Sequence, residues 1–155
     1  MTEPSKLKIL LCRLSHIDVC IELQYVIKAF LIPLFKIIPN SPPYLAGLIN
    51  WGGHSIPLVD WAFCMGSTRE EPYSPDTPVL LCTDGKQFAG VIVDKILGLI
   101  EVEKTQLQLN DAFREEKAPF AAAVTIDANI SLLIDIHQLL KIQLTESKIP
   151  ALNNR

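Results

Sequence analysis

Between Ile37 and Val59 the sequence runs for 23 residues without an Asp, Glu, Lys or Arg, so all 31 charged residues fall in the other 132. An uncharged stretch of that length has the size of a membrane span, which needs about 20 predominantly apolar residues in one helix. Its own residues forbid that use. Pro39, Pro42, Pro43 and Pro57 break any helix, and Asn40, Ser41, Asn50, Gly52, Gly53 and His54 would leave polar groups or bare backbone in lipid. The opening Met-Thr-Glu-Pro-Ser-Lys lacks a basic region followed by an apolar run and a cleavage signal. The expectation is a cytoplasmic protein without direct membrane insertion.

Composition removes further classes. At 49% apolar and 20% charged, the chain carries too much core-forming material for disorder. With a net charge of -3 and no Lys/Arg stripe it lacks the footprint of a nucleic-acid binder. Eleven prolines and seven glycines would interrupt the long helices of a bundle. Cys12, Cys20, Cys64 and Cys82 form no Cys-x-x-Cys pair and are expected to be reduced, structural thiols.

Leu7–Leu14 and Ile17–Leu23 read as two strands parted by Ser15-His16, and Leu23–Val26 as one helical turn. Ile27–Phe35 returns to strand composition until Pro33 interrupts it, and Ile38–Tyr44 is a stiff proline loop. A hairpin follows over Gly47–Asp60 with Gly52-Gly53 at its turn, and Asp60 caps a short helix Trp61–Met65 closed by Gly66. Ser67–Asp76 separates two halves.

The second half holds a hairpin from Val79–Thr83 and Gln87–Val93 across Asp84-Gly85, then a short helical turn over Asp94–Leu99 with strand resuming at Ile100–Val102. Lys104–Pro119 is a charged loop. Ala121–Ile126 and Ile130–Leu133 pair across Asp127–Asn129, and Asp135 caps a last helix, Ile136–Lys141. About ten short strands with brief helices suit paired small barrels rather than an α/β sheet.

Catalytic patterns are absent. His16, His54 and His137 are the three histidines, and none shares a His-Glu-x-x-His spacing. There is no Gly-x-Ser-x-Gly elbow, phosphate loop or dinucleotide fingerprint. His137 reads as a polar residue on the outer face of the last helix, because a phosphotransfer histidine needs a helical bundle. His54 reads as an exposed hairpin residue. A small hydrolase using Cys64 or His54 is the enzymatic alternative, and it has no oxyanion site.

The segment Pro42-Pro43-Tyr44-Leu45-Ala46-Gly47-Leu48-Ile49-Asn50-Trp51-Gly52-Gly53, followed by Ile56-Pro57-Leu58-Val59-Asp60-Trp61 and Met65-Gly66, resembles the signature region of CheW-like proteins. These are the coupling proteins of bacterial chemotaxis arrays. Gly90–Gly98 is similar to the family's Val-Asp-x-Val-x-Gly segment, and Leu132–Leu140 to its closing Leu-hydrophobic-Asp-x-x-x-Leu-Leu. In order and with compatible spacing, the motifs extend over roughly Lys8 to Lys141.

The resemblance implies an all-β fold with short helices: two intertwined, SH3-like five-stranded β-barrels sharing a hydrophobic core. A single domain is expected over 7–145, flanked by tails at 1–6 and 146–155. The first barrel would span about 15–77 and the second about 78–145, with the N-terminal strand open to sharing. No enzyme activity, cofactor or metal is implied. The implied role is an adaptor between a chemoreceptor's cytoplasmic tip and the regulatory domain of a CheA-type histidine kinase, recruited to membrane-associated receptor arrays.

Three positions depart from the family. Its signature Arg is Gly52 here and the preceding Leu is Trp51, while Lys28 stands roughly where many relatives have the acid that pairs with that Arg. An Arg lost together with its partner leaves no unpaired charge. These changes raise a second reading, a divergent coupling protein of a pilus-motility or other chemosensory pathway with its own receptor. The expected partner-binding residues are Val26, Lys28, Tyr44, Asn50, Trp51, Gly52, Gly53, His54 and Val93. Trp61 is expected to be buried, whereas Trp51 is either core or a surface anchor.

Overall fold

The computed structural model describes residues 5–64, 73–108 and 120–146. Strands β1 (Lys6–Leu14) and β2 (Ile17–Glu22) form the first hairpin, and a 3-10 turn (Leu23–Tyr25) leads into β3 (Val26–Leu31). The second hairpin is β4 (Leu45–Trp51) and β5 (His54–Asp60), followed by α1 (Trp61–Cys64). Then come β6 (Pro78–Thr83), β7 (Phe88–Ile92), β8 (Lys95–Glu103), a 3-10 turn (Lys104–Gln106) and β9 (Leu107–Gln108). Strands β10 (Phe120–Ile126) and β11 (Asn129–Ile134) precede α2 (Ile136–Glu146).

These strands make two sheets. One has six strands in the order β8-β1-β2-β11-β10-β9, and the other five in the order β3-β6-β7-β5-β4. Parallel pairs reach far along the chain: Val19 and Cys20 of β2 sit beside Leu132 and Leu133 of β11, and β5 lies beside β7 through Leu58–Gly90. Residue 77 precedes β6, which starts at Pro78, and β5 and β6 are both members of the five-stranded sheet.

The core follows from period-two alternation on strands that are buried on both faces. In β2, Val19 and Ile21 enter a central cluster while Cys20 enters a cluster of the six-stranded sheet. In β6, Leu80 and Cys82 enter the same central cluster while Val79 and Leu81 enter one of the five-stranded sheet. Each sheet thus wraps a small core of its own, and both contribute to a shared one. That is the expected architecture of paired barrels, here as curled sheets whose outer strands are not hydrogen-bonded to each other.

Helix α2 seals the shared core with Ile136, Leu139 and Leu140, all fully buried. Asp135 caps it, its carboxylate accepting from the Gln138 N–H at 3.0 Å. The helix continues past the expected end at Lys141, to Glu146. Trp61 is buried as expected, as are Cys12, Cys20 and Cys82. The Cys64 side chain, Met65-Gly66, the tails at 1–4 and 147–155 and much of the Lys104–Pro119 loop lie outside the described residues.

The expected helical turn at Asp94–Leu99 is not formed. Lys95–Glu103 is one strand, paired antiparallel with β1 from Lys6–Glu103 to Arg13–Lys95. A bulge between Leu11 and Cys12 absorbs one residue of β8, and this long pairing outweighs the weak local preference of so short a helical pattern. Strand β3 also ends earlier than expected, at Leu31, two residues before Pro33.

Candidate functional site

The β4–β5 hairpin turns at Gly52 and Gly53, whose φ values of 56° and 87° both lie in the region glycine enters freely. Asn50 fixes the turn, its side-chain oxygen accepting from the Gly53 N–H at 3.0 Å. Asn50, Gly52, Gly53 and His54 are all exposed, so the whole tip faces solvent.

Residues 32–38 run beside β4 as a strap. Lys36 N–H donates to the Leu48 carbonyl at 2.9 Å and Leu48 N–H to the Lys36 carbonyl at 2.8 Å. Both backbone groups of Leu48 are used on this side, so Pro57, opposite Leu48 on β5, is not missed as a donor. Gly47 permits the approach. A Cβ there would overlap the Lys36 carbonyl and lie 2.8 Å from the Phe35 ring.

Trp51 is half-buried beside the tip and meets residues of β3, the opposite edge of the same sheet. Phe30 stacks on it with ring centroids 5.8 Å apart and planes 12° apart. The Lys28 ammonium lies 5.2 Å from the Trp51 ring centroid, within cation–π range. The side chains of β3 and β4 therefore close the curl that their backbones leave open. Of the two expectations for Trp51, the structure shows packing: the ring stacks on Phe30 and lies beside the exposed Lys28 ammonium. Phe30 was not among the expected residues, although its spacing of two from Lys28 puts it on the same face of β3.

The other expected residues lie apart. Val26 starts β3 opposite Cys82 and packs against the shared core. Tyr44 is half-buried against that core, and its carbonyl accepts from the Asp60 N–H at 2.7 Å. Val93 is fully buried within it and offers no surface to a partner. It follows the end of β7, where the shared core gathers residues from many elements that the local sequence does not reveal.

Asp60 is fully buried, accepting from the Ala62 N–H at 3.2 Å and from the Tyr73 hydroxyl at 2.7 Å. It anchors the entry to α1 as the expected cap. An open cleft of about 510 Å³ lies between two hairpin tips and is lined by Arg13, Ser15, His16 and Asp18 among others. Its Asp18 carboxylate is held by Arg13 at 3.1 Å rather than by a histidine. His137 is exposed and contacts the Tyr25 hydroxyl at 3.2 Å.

Burial pushes the Cys12 and Cys82 thiols up to about 12 and the Cys20 thiol to about 11, so none is a thiolate nucleophile at neutral pH. Among the described residues no cluster of metal-ligating side chains occurs, and no helix is long and apolar enough to cross a membrane.

The comparisons with known proteins agree with the fold. A chemotaxis protein CheW of Thermotoga maritima is 25% identical over 104 residues, 67% of this chain and 68% of that protein. One from Helicobacter pylori is 27% identical over 70 residues, 45% of this chain and 42% of that protein. The crystal structure of the scaffolding protein TtCheW from Thermoanaerobacter tengcongensis superposes with a TM-score of 0.80 at 21% identity, covering 92% of this chain and 98% of that one. The family model of the CheW-like domain matches residues 8–143. With that match spanning nearly all the described strands, the chain belongs to the CheW-like domain family.

Proposed function

We propose that this protein is a non-enzymatic adaptor of chemotaxis signalling, coupling chemoreceptors of the methyl-accepting type to a CheA-type histidine kinase in the cytoplasm at receptor arrays. The observation that carries the reading is the exposed hairpin end, where Trp51 stands stacked and charge-topped beside a solvent-facing, uncharged tip. Interface cores are depleted of charge and enriched in aromatic anchors. The names of the relatives, chemotaxis protein CheW and scaffolding protein, support the same class of role.

Lys28, Asn50, Trp51, Gly52, Gly53 and His54 make the contact face in this reading. Titration calorimetry of the kinase's regulatory domain against wild type and Trp51→Ala tests it. Binding that falls at least tenfold in a variant with an unchanged far-UV spectrum supports the face, and equal binding overturns it.

The Lys28–Trp51 pair favours a second reading, an adaptor of a pilus-motility or other chemosensory pathway with a non-standard receptor. Co-purification from the native host separates the two by the kinase and receptor recovered.

A further inference from the structure

The end of β3 and the strap that follows it present three large apolar side chains to water. Leu31 is 58% exposed, Leu34 99% and Ile37 72%. Ile32 and Phe35, between them, pack instead against the core of the five-stranded sheet. The segment is thus held by alternate anchors that leave Leu31, Leu34 and Ile37 outward. A leucine left wholly in water on an ordered, backbone-bonded segment gains nothing for the monomer, and clustered exposure of this kind marks an interaction site.

The strap is continuous with the candidate face. Its antiparallel bridge at Lys36–Leu48 carries the residues before Lys36 toward the Asn50–Trp51 end of β4. The charges on β3 and the strap have one sign, and the exposed Asp76, next to Thr77 whose carbonyl accepts from the Ile32 N–H, lies at the Leu31 end. From Leu23 to Val59 the only charged residues are Lys28 and Lys36, both exposed, in a chain whose net charge is -3.

We infer that Leu31, Leu34 and Ile37, flanked by Lys28 and Lys36, dock an acidic amphipathic segment of a protein partner, one presenting apolar side chains beside carboxylates. The inference rests on the adaptor reading and specifies the chemistry of what the adaptor holds. Carboxylates opposite two lysines would steer and register the contact, while the apolar side chains supply the buried area. An anionic membrane is a poorer match, because lipid recognition by charge uses clusters of about 4–8 basic residues.

The test uses the full chain and two labelled helical peptides of equal length, one of Leu and Glu, the other of Leu and Lys. Saturable anisotropy binding of the acidic peptide is expected, weakened at least tenfold in Leu34→Ser/Ile37→Ser. In Lys28→Glu/Lys36→Glu the preference should turn to the lysine peptide. Both serine positions are exposed, and an unchanged denaturation midpoint verifies the fold. Absent binding of the acidic peptide, or binding indifferent to the serine pair, overturns the inference. So does a dimer in sedimentation that the serine pair abolishes, which would make a second copy the occupant, or binding to anionic vesicles in place of the peptide.

The kinase titration separates this inference from the adaptor reading. Acidic-peptide binding without kinase binding removes the adaptor reading alone. Kinase binding that is lost in Trp51→Ala but untouched by the serine pair removes the strap alone.

Discussion

The Lys28 ammonium rests 5.2 Å from the centre of the Trp51 ring, although the two residues belong to the opposite edge strands of one sheet. The contact joins edge strands that share no backbone hydrogen bonds, and it adds to the Lys36–Leu48 backbone bridge that ties the strap to β4. Where the family resemblance implies an Arg and an acid, this chain uses a cation and an indole. A cation on an aromatic face needs no carboxylate, and the sequence from Leu23 to Val59 carries none.

This arrangement predicts measurable coupling. In a double-mutant cycle, Lys28→Ala and Trp51→Ala should couple by about 0.5–1 kcal/mol, the range for an exposed cation–π contact. Urea denaturation of the four proteins measures it. Additive effects would show that the lysine merely lies near the ring.

Gly47→Ala should destabilise the protein by about 1–3 kcal/mol, the usual cost of forcing a methyl into a filled space. The added carbon meets the Lys36 carbonyl and the Phe35 ring, so the strap must move off β4. Hydrogen exchange at the Lys36 and Leu48 amides should accelerate well before global unfolding. By contrast Gly52→Asn, at a φ of 56° with open space around it, should cost far less.

Tyr73→Phe should lower stability by about 1.5–3 kcal/mol, because its hydroxyl donates to the fully buried Asp60 carboxylate at 2.7 Å. Asp60→Ala should cost more, since it also frees the Ala62 N–H at the start of α1. Equal midpoints for wild type and Tyr73→Phe would refute the assignment.

The buried thiols set an alkaline limit. Burial raises Cys12 and Cys82 from the ordinary 9.0 to about 12 and Cys20 to about 11. The folded state therefore keeps protons that the unfolded chain releases above pH 9. Stability from this source is complete below pH 9 and falls as pH rises from about 9 to 12, by up to about 1.4 kcal/mol per pH unit for each thiol. Denaturation midpoints at pH 8 and pH 10, repeated with Cys82→Ala, check the sign. At neutral pH all three thiols should resist alkylation until the chain is unfolded.

The hairpins were legible in the sequence because turn chemistry is local. Gly52-Gly53, Asp84-Gly85 and Asp127–Asn129 each sit where a chain must enter unusual φ or bond back on itself, and each forms the expected turn. Asp60 and Asp135 were legible as caps for the same reason. What failed depended on neighbours distant in sequence. Lys95–Leu99 became strand because β1 pairs with it, Val93 disappeared into a core shared by both sheets, and Phe30 mattered through a stack reaching across the sheet. The exposed strap was hidden because Leu31, Leu34 and Ile37 look like core residues on paper. Only the structure shows which of the residues from 31 to 37 face water.

The parallel pairing of β2 with β11 has a consequence for how the chain is made. The five-stranded sheet draws only on residues 26–92 and is complete in sequence once β7 has left the ribosome. The six-stranded sheet cannot be. Strands β1 and β2 emerge first yet must wait for β11, whose Leu132 and Leu133 meet Val19 and Cys20. During that interval their apolar faces need temporary cover, and closing so long a loop is slow. Assembly of the six-stranded sheet therefore has β1 and β2 capturing a hairpin made about 100 residues after them, so that sheet closes only after the five-stranded one can.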